Sequence, residues 1–172
     1  MAEIKNPQDK FLRVLTWILF IFCLLVLVRY ILFKGGADQF EMYLAKYDSK
    51  KMMKQGIKRA NFVPFTTLHY FYIIRKHYSY IVAKNILGNI IGFIPLGVLL
   101  PILFIKLQRA GRTILAVFLI SLGFETIQLL FNLGVFDVDD LLLNTIGGAI
   151  GYVFYVISKR LMYMDNTPAV FR

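Results

Sequence analysis

Four apolar runs decide what this chain can become. The first, about Phe11–Phe33, reads FLRVLTWILFIFCLLVLVRYILF, and the second, about Lys84–Ile105, reads KNILGNIIGFIPLGVLLPILFI. Two more extend over about Thr113–Phe131 and Asp139–Ile157. A helix needs about 20 residues to cross roughly 30 Å of hydrocarbon, so each run is long enough to span a bilayer. The chain is therefore read as an all-α integral membrane protein with four transmembrane helices. Composition agrees: 58% of the residues are hydrophobic and mean hydropathy is +0.64, against about 45–50% apolar in soluble domains. At 172 residues the chain makes a single membrane domain, 1–172.

The first run has Lys5, Lys10 and Arg13 around its start, as a signal peptide would. The run is long, however, and Gly35-Gly36-Ala37 after it is a poor cleavage site, so it reads as an uncleaved anchor. Cys23 stands alone within it. No internal disulfide can form, and the residue reads as a small core side chain.

Net charge is +10. The basic residues flank apolar runs and no nucleic-acid-binding motif is present, so the partner expected is membrane lipid or another surface polyanion, not nucleic acid. Lys5, Lys10 and Arg13 precede the first span, Lys106, Arg109 and Arg112 join the second to the third, and Lys159 and Arg160 follow the fourth. The third–fourth connection holds only acids. The positive-inside rule then places both termini in the cytoplasm, with the protein multi-pass in the membrane. Against this stands the basic stretch from Lys34 to Lys84, which would lie outside. At about 50 residues it approaches the length where the rule weakens.

That extracytoplasmic segment, about 37–83, is rich in aromatic residues. Phe40, Tyr43, Leu44 and Tyr47 recur at helical spacing, with Gly56 as a stop. NFVPFTTLHYFYIIRKHYSYIVAKN mixes Phe and Tyr with Arg75, Lys76 and His77. Too polar to span cheaply, it suits an amphipathic helix at the membrane interface or a re-entrant segment on the bundle.

Polar residues inside the spans form stripes. Ser121, Glu125, Gln128 and Asn132 share one face of the third helix. Asp137, Asp140, Asn144, Gly147, Gly151 and Tyr155 follow three- and four-residue steps on the fourth. Asn85, Asn89 and Gly92 do so on the second. Such stripes are costly against lipid, so the faces should meet one another. Asn, Ser and Gln serve there as interhelical glue, and Gly88xxxGly92 and Gly147xxxGly151 permit close approach. Glu125 costs about 2.5–3.5 kcal/mol within a span, which points to a function or a specific partner. Asp137 and Asp140 point to function as well, with a helix start favoured by the macrodipole as the alternative. Asp139 falls off the stripe and reads as a solvated helix start favoured by the macrodipole. With cytoplasmic termini, Glu125 sits about 18 Å along the third helix, so all the stripes gather polarity at the outer leaflet, beneath the basic segment. Arg59, Arg75 and Lys84 are the candidate counter-charges.

No HExxH, GxSxG, P-loop or CxxC motif is present. His69 and His77 lack ligand spacing. Glu125, Asp137 and Asp140 are the only candidate ligands for a divalent ion, and their spacing does not identify one. The cofactor is therefore unknown.

Three blocks resemble the VanZ-like family: RANFVPFTTL (Arg59–Leu68), NIIGFIPLGVLLP (Asn89–Pro101) and ETIQLLFNLGVFDVDDLLLNTIGGAIGY (Glu125–Tyr152). They cover about half the chain, in the family's order. The resemblance implies a small multi-spanning bacterial membrane protein whose founding member is linked to teicoplanin resistance. It carries over to Arg59, Asn61, Pro64 and Phe65, to Asn89, Gly92, Pro95 and Gly97, and to Glu125, Gln128, Asp137, Asp140, Asn144 and Gly147. Many relatives have an Arg just before the Phe-Asp step, where this chain has Gly134-Val135, which puts an ion pair at that point in doubt. Pro95 removes a backbone hydrogen bond from the second span, which either kinks it beside Asn89 or is plain helix geometry.

The ligand-binding or functional polar cluster expected is Arg59, Asn61, Asn89, Glu125, Gln128, Asp137, Asp140 and Asn144. Three functions compete. The first is a non-catalytic protein, oligomeric or not, that binds or shields an amphiphile at the outer leaflet, such as a lipid-linked cell-wall precursor or a lipoglycopeptide. The second is an enzyme acting on lipid phosphates or envelope glycans through a carboxylate and divalent-metal site. The third is a small lipid or proton-coupled transporter with Glu125 as carrier.

Overall fold

The computed structural model describes residues 7–32 and 48–165. The face formed by Phe40, Tyr43, Leu44 and Tyr47 lies outside the described residues. Helix α1 runs over Pro7–Leu27 and widens into a π-turn at Val28–Leu32. Two short helices follow, α2 at Ser49–Arg59 and α3 at Thr66–Ile74. Helix α4 spans Ser79–Leu103, a 3₁₀ turn at Ile105–Leu107 connects it to α5 at Ala110–Phe131, and α6 completes the bundle at Val138–Asp165.

Four helices are long and apolar enough to cross a membrane: Lys10–Leu32, Ser79–Leu103, Ala110–Phe131 and Val138–Met162. They match the four apolar runs. The second begins about a turn earlier than the hydropathy of the sequence suggests, which puts Lys84 inside the helix. Pro95 and Pro101 both fall within α4, which continues through them.

Helices α4 and α6 form the most extensive packing interface. Glycine permits it. A methyl group added at Gly147 or Gly151 would overlap the Ile90 or Ile94 carbonyl, and one at Gly97 would overlap Gly148. Gly88xxxGly92 has a different partner, since both residues face α1: Tyr30 lies over Gly88 and Leu27 over Gly92. The small residues let helices approach closely where lipid supplies no hydrophobic force between them. Phe93, Leu96 and Val117 are fully buried at the centre, with the Phe93 ring edge-on to Phe124 at 6.4 Å. Cys23 belongs to this core, as expected.

Helix α2 docks on α5. Asp48 caps its start by accepting the Lys51 N–H at 3.1 Å. Gly56 does not end the helix, contrary to the expectation from sequence. It lies inside α2 because its bare Cα rests against the Leu129 carbonyl of α5. Helix α3 has no buried residue, and Tyr70, Tyr72 and Ile73 are all more than half exposed. An aromatic, apolar yet exposed short helix suits the bilayer interface.

The glycine contacts give a direct test. Gly151→Ala should destabilise the protein by about 1–3 kcal/mol, or roughly 3–10 °C of melting temperature. Gly123→Ala, with nothing within 4 Å of the added carbon, should leave it unchanged or slightly raised. Thermal unfolding of both variants in detergent is the measurement, and equal melting temperatures would contradict the packing described.

Candidate functional site

Two helix starts meet at one end of the bundle. Asn132 adopts the left-handed conformation (φ 49°) that ends α5. The chain then reverses through Leu133–Phe136 into α6. Asp137 immediately precedes α6, and its carboxylate accepts the Asp139 N–H at 2.9 Å, as an N-cap does.

The segment between α2 and α3 crosses this turn and pairs with it. Asn61 N–H donates to the Phe136 carbonyl at 2.8 Å, and Val138 N–H donates to the Asn61 carbonyl at 3.1 Å. The Asn61 amide also donates to Asp137 Oδ1 at 2.8 Å, and the Thr67 hydroxyl to Asp137 Oδ2 at 2.5 Å. Phe62 stacks near Phe136, with ring centroids 5.1 Å apart.

Asp139 completes the junction. It is 0% exposed. Its carboxylate accepts Phe65 N–H at 2.5 Å, Thr67 N–H at 2.8 Å and Leu68 N–H at 3.1 Å. These are the N-cap and first-turn amides of α3, which no intrahelical carbonyl can satisfy. The N-cap residue of α3, Phe65, supplies no side-chain cap and holds φ at 68°. A left-handed aromatic residue is uncommon and strained, and here it turns the Phe65 amide onto Asp139. The expectation that Asp139 is solvated is therefore wrong. Helical spacing measures only the face turned to neighbouring spans, whereas Asp139 is covered by a segment more than seventy residues earlier in the chain.

Other polar side chains expected to converge do so in pairs. Asn89 donates to Asp140 across α4 and α6. Asn144 donates to Ser121 at 2.8 Å across α6 and α5. Glu125, 2% exposed, accepts the Asp137 N–H at 2.9 Å. Gln128 donates to the Ile31 carbonyl at 3.0 Å in the π-turn of α1. The stripes thus face one another at the end of the bundle beneath α2 and α3.

Counter-charges are a different matter. Apart from the Asp139 N–H, the donors to Asp137 and Asp139 lie in the basic segment, but they are the Asn61 amide, the Thr67 hydroxyl and backbone N–H groups, not the expected cations Arg59, Arg75 and Lys84. Arg59 is exposed in the last turn of α2. Arg75 stacks on the Tyr72 ring at 3.5 Å and donates to the Tyr72 carbonyl. The positive ends of two helix dipoles, α3 and α6, stand in for cations. Among the described residues no three His, Cys, Asp or Glu side chains cluster as a metal site would require. Both carboxylates of the junction are spent on hydrogen bonds.

Sequence reasoning missed Thr67 and Asp139. The signal was slight: α3 starts at Thr66, and Phe65 at its N-cap position offers no side-chain acceptor, so its amides need one from elsewhere.

The profile of the VanZ/LLP1 family matches residues 17–159. Protein VanZ of Enterococcus faecium is 27% identical over 129 residues, covering 75% of this chain and 72% of that one. No solved structure matches the chain significantly. With most of its length matched by the profile, the chain belongs to the VanZ/LLP1 family.

Hydrogen bonds to an ionised carboxylate are worth about 1.5–3 kcal/mol each. Asp139→Asn keeps only one acceptor oxygen and should lose about that much stability. Asp139→Ala, which leaves three amides unmet, should lose more. Thr67→Val removes two neutral-donor bonds, the hydroxyl's donation to Asp137 and its acceptance from the Asn61 amide at 3.2 Å, and should cost about 1–2 kcal/mol. Thermal unfolding, with trypsin cleavage at the α2 lysines as a readout of segment release, checks the order. A silent Asp139→Ala would refute the cap.

Proposed function

We propose that this VanZ/LLP1-family protein binds or shields an amphiphilic cell-envelope ligand at the outer leaflet, and so contributes to tolerance of lipoglycopeptides such as teicoplanin. The observation that carries the reading is the junction itself. Asp137 and Asp139 hold a basic, aromatic segment over one end of a four-helix bundle. That segment presents Lys50, Lys51, Lys54 and Lys58 on α2 and the exposed Tyr70 and Tyr72 on α3, side chains that suit phosphate or carboxylate headgroups and the bilayer interface.

Orientation belongs to the same proposal. The bundle end without the segment carries Lys106, Arg109 and Arg112 between α4 and α5, and Lys159 and Arg160 near the end of α6. Positive-inside bias puts that end in the cytoplasm, with both termini, and the segment outside. The competing enzymatic reading asks Glu125, Asp137 and Asp140 to hold a metal or move protons. Asp137 is instead engaged by Asn61, Thr67 and Asp139, which favours a binding role.

Two experiments test this. Val63 is 64% exposed beside the junction. A cysteine there, in a Cys23→Ala background, should react with a membrane-impermeant maleimide in intact cells. Labelling only after permeabilisation would reverse the orientation. Expression in a strain lacking its own copy should raise the teicoplanin concentration needed to stop growth, while mass spectra of the lipid-linked precursors stay unchanged. A modified precursor appearing with the protein would favour the enzyme.

A further inference from the structure

We propose that a membrane phospholipid with an anionic phosphate headgroup occupies the groove between α1 and α4, a site separate from the carboxylate junction. The groove encloses about 900 Å³ and is lined by Phe22, Val26, Arg29, Tyr30, Tyr80 and Lys84 among others. Its lining residues include two cations and, among the described residues, no acid.

The arrangement along the membrane normal selects the ligand. Arg29 lies in the π-turn that ends α1, and Lys84 lies in the second turn of α4. Both sit at the bundle end beneath α2 and α3. Phe22 is seven residues before Arg29, about 10 Å deeper at 1.5 Å per residue. Charge therefore stands at headgroup depth, with an apolar wall running from it toward the bilayer centre. A soluble anion would use the cations and leave the wall idle, whereas a phospholipid uses both. Phe22 and Val26 are exposed at 62% and 48%, so an acyl chain can enter from the bilayer without passing through the bundle.

The groove is also built into the fold. Tyr30 lies over Gly88, where a larger residue would displace it. Gln128 of α5 holds the Ile31 carbonyl within the π-turn, and such turns often mark functional positions in helices. Lys84 is exposed on α4 and has no ion pair among the described residues, so an anion can approach it. This inference stands whether or not the tolerance reading does.

The test uses the purified full-length chain, delipidated and then mixed with equal phosphatidylglycerol and phosphatidylcholine. Lipids retained are counted by native mass spectrometry. Phosphatidylglycerol should be retained preferentially. Lys84→Gln should reduce that preference about fivefold, the effect of one basic residue at a membrane surface, and Arg29→Gln should reduce it too. Val26→Trp, which fills the apolar wall, should lower retention of phosphatidylglycerol while thermal unfolding shows the fold intact. Lys106→Gln, at the opposite end, should behave as wild type. Equal retention of the two lipids, or unchanged preference in Lys84→Gln, would overturn the proposal. So would displacement of phosphatidylglycerol by millimolar inorganic phosphate, which would identify a soluble anion as the occupant.

Discussion

The Asp139 carboxylate, seated on the first amides of α3, is the interaction on which the rest of this structure depends. An ionised group with no exposure is expensive unless its acceptor positions are filled, and a helix start without a cap leaves amides unmet. Each defect is the other's remedy. Asp139 receives three backbone N–H groups, and α3 gains the cap that Phe65 cannot provide. Because the two elements are far apart in sequence, the bond also fixes where the interfacial segment sits. Removing either partner exposes the cost of the other.

The junction can form only if α6 starts at the right height, and the glycines set that height. Gly147 and Gly151 bring α6 onto the backbone of α4, and Asn89 then reaches Asp140 across the same interface. Glu125 on α5 accepts the Asp137 amide, so the turn before α6 is held from a second helix. Gln128 extends the same support to α1. Apolar contacts dominate the bundle centre, and polar bonds collect at one end. Hydrogen bonds between helices in membranes are individually modest, so positioning is their main contribution here.

Much of this was legible in the sequence. The four spans were, because length and hydropathy suffice for them. The inward faces of Glu125, Gln128, Asn144 and Asn89 were too, because helical spacing lines them up with small residues. Asp139 was not, because periodicity ranks a residue by its own helix and cannot see a segment lying across that helix's end. Gly56 was misread for a related reason: glycine stops helices in isolation, but here close approach to Leu129 explains it better. The donors to Asp137 and Asp139 were expected to be cations, since charge is easily counted. Those of Asp139 are backbone amides, which carry no letter in a sequence, and only the uncapped start of α3 hinted at them.

A bundle end rebuilt by buried carboxylates offers a stable platform for basic and aromatic side chains at the membrane interface. The platform exists only if the α3 amides are held. Backbone amides in the first turn of an exposed helix ordinarily exchange with solvent quickly, since they lack intrahelical partners. Hydrogen exchange of the Phe65, Thr67 and Leu68 amides, resolved by NMR in nanodiscs, is therefore the most direct measurement. The structure predicts slow exchange at all three in the wild-type protein, accelerated at least tenfold in Asp139→Asn. Rapid exchange in the wild type, or protection that survives the substitution, would contradict it.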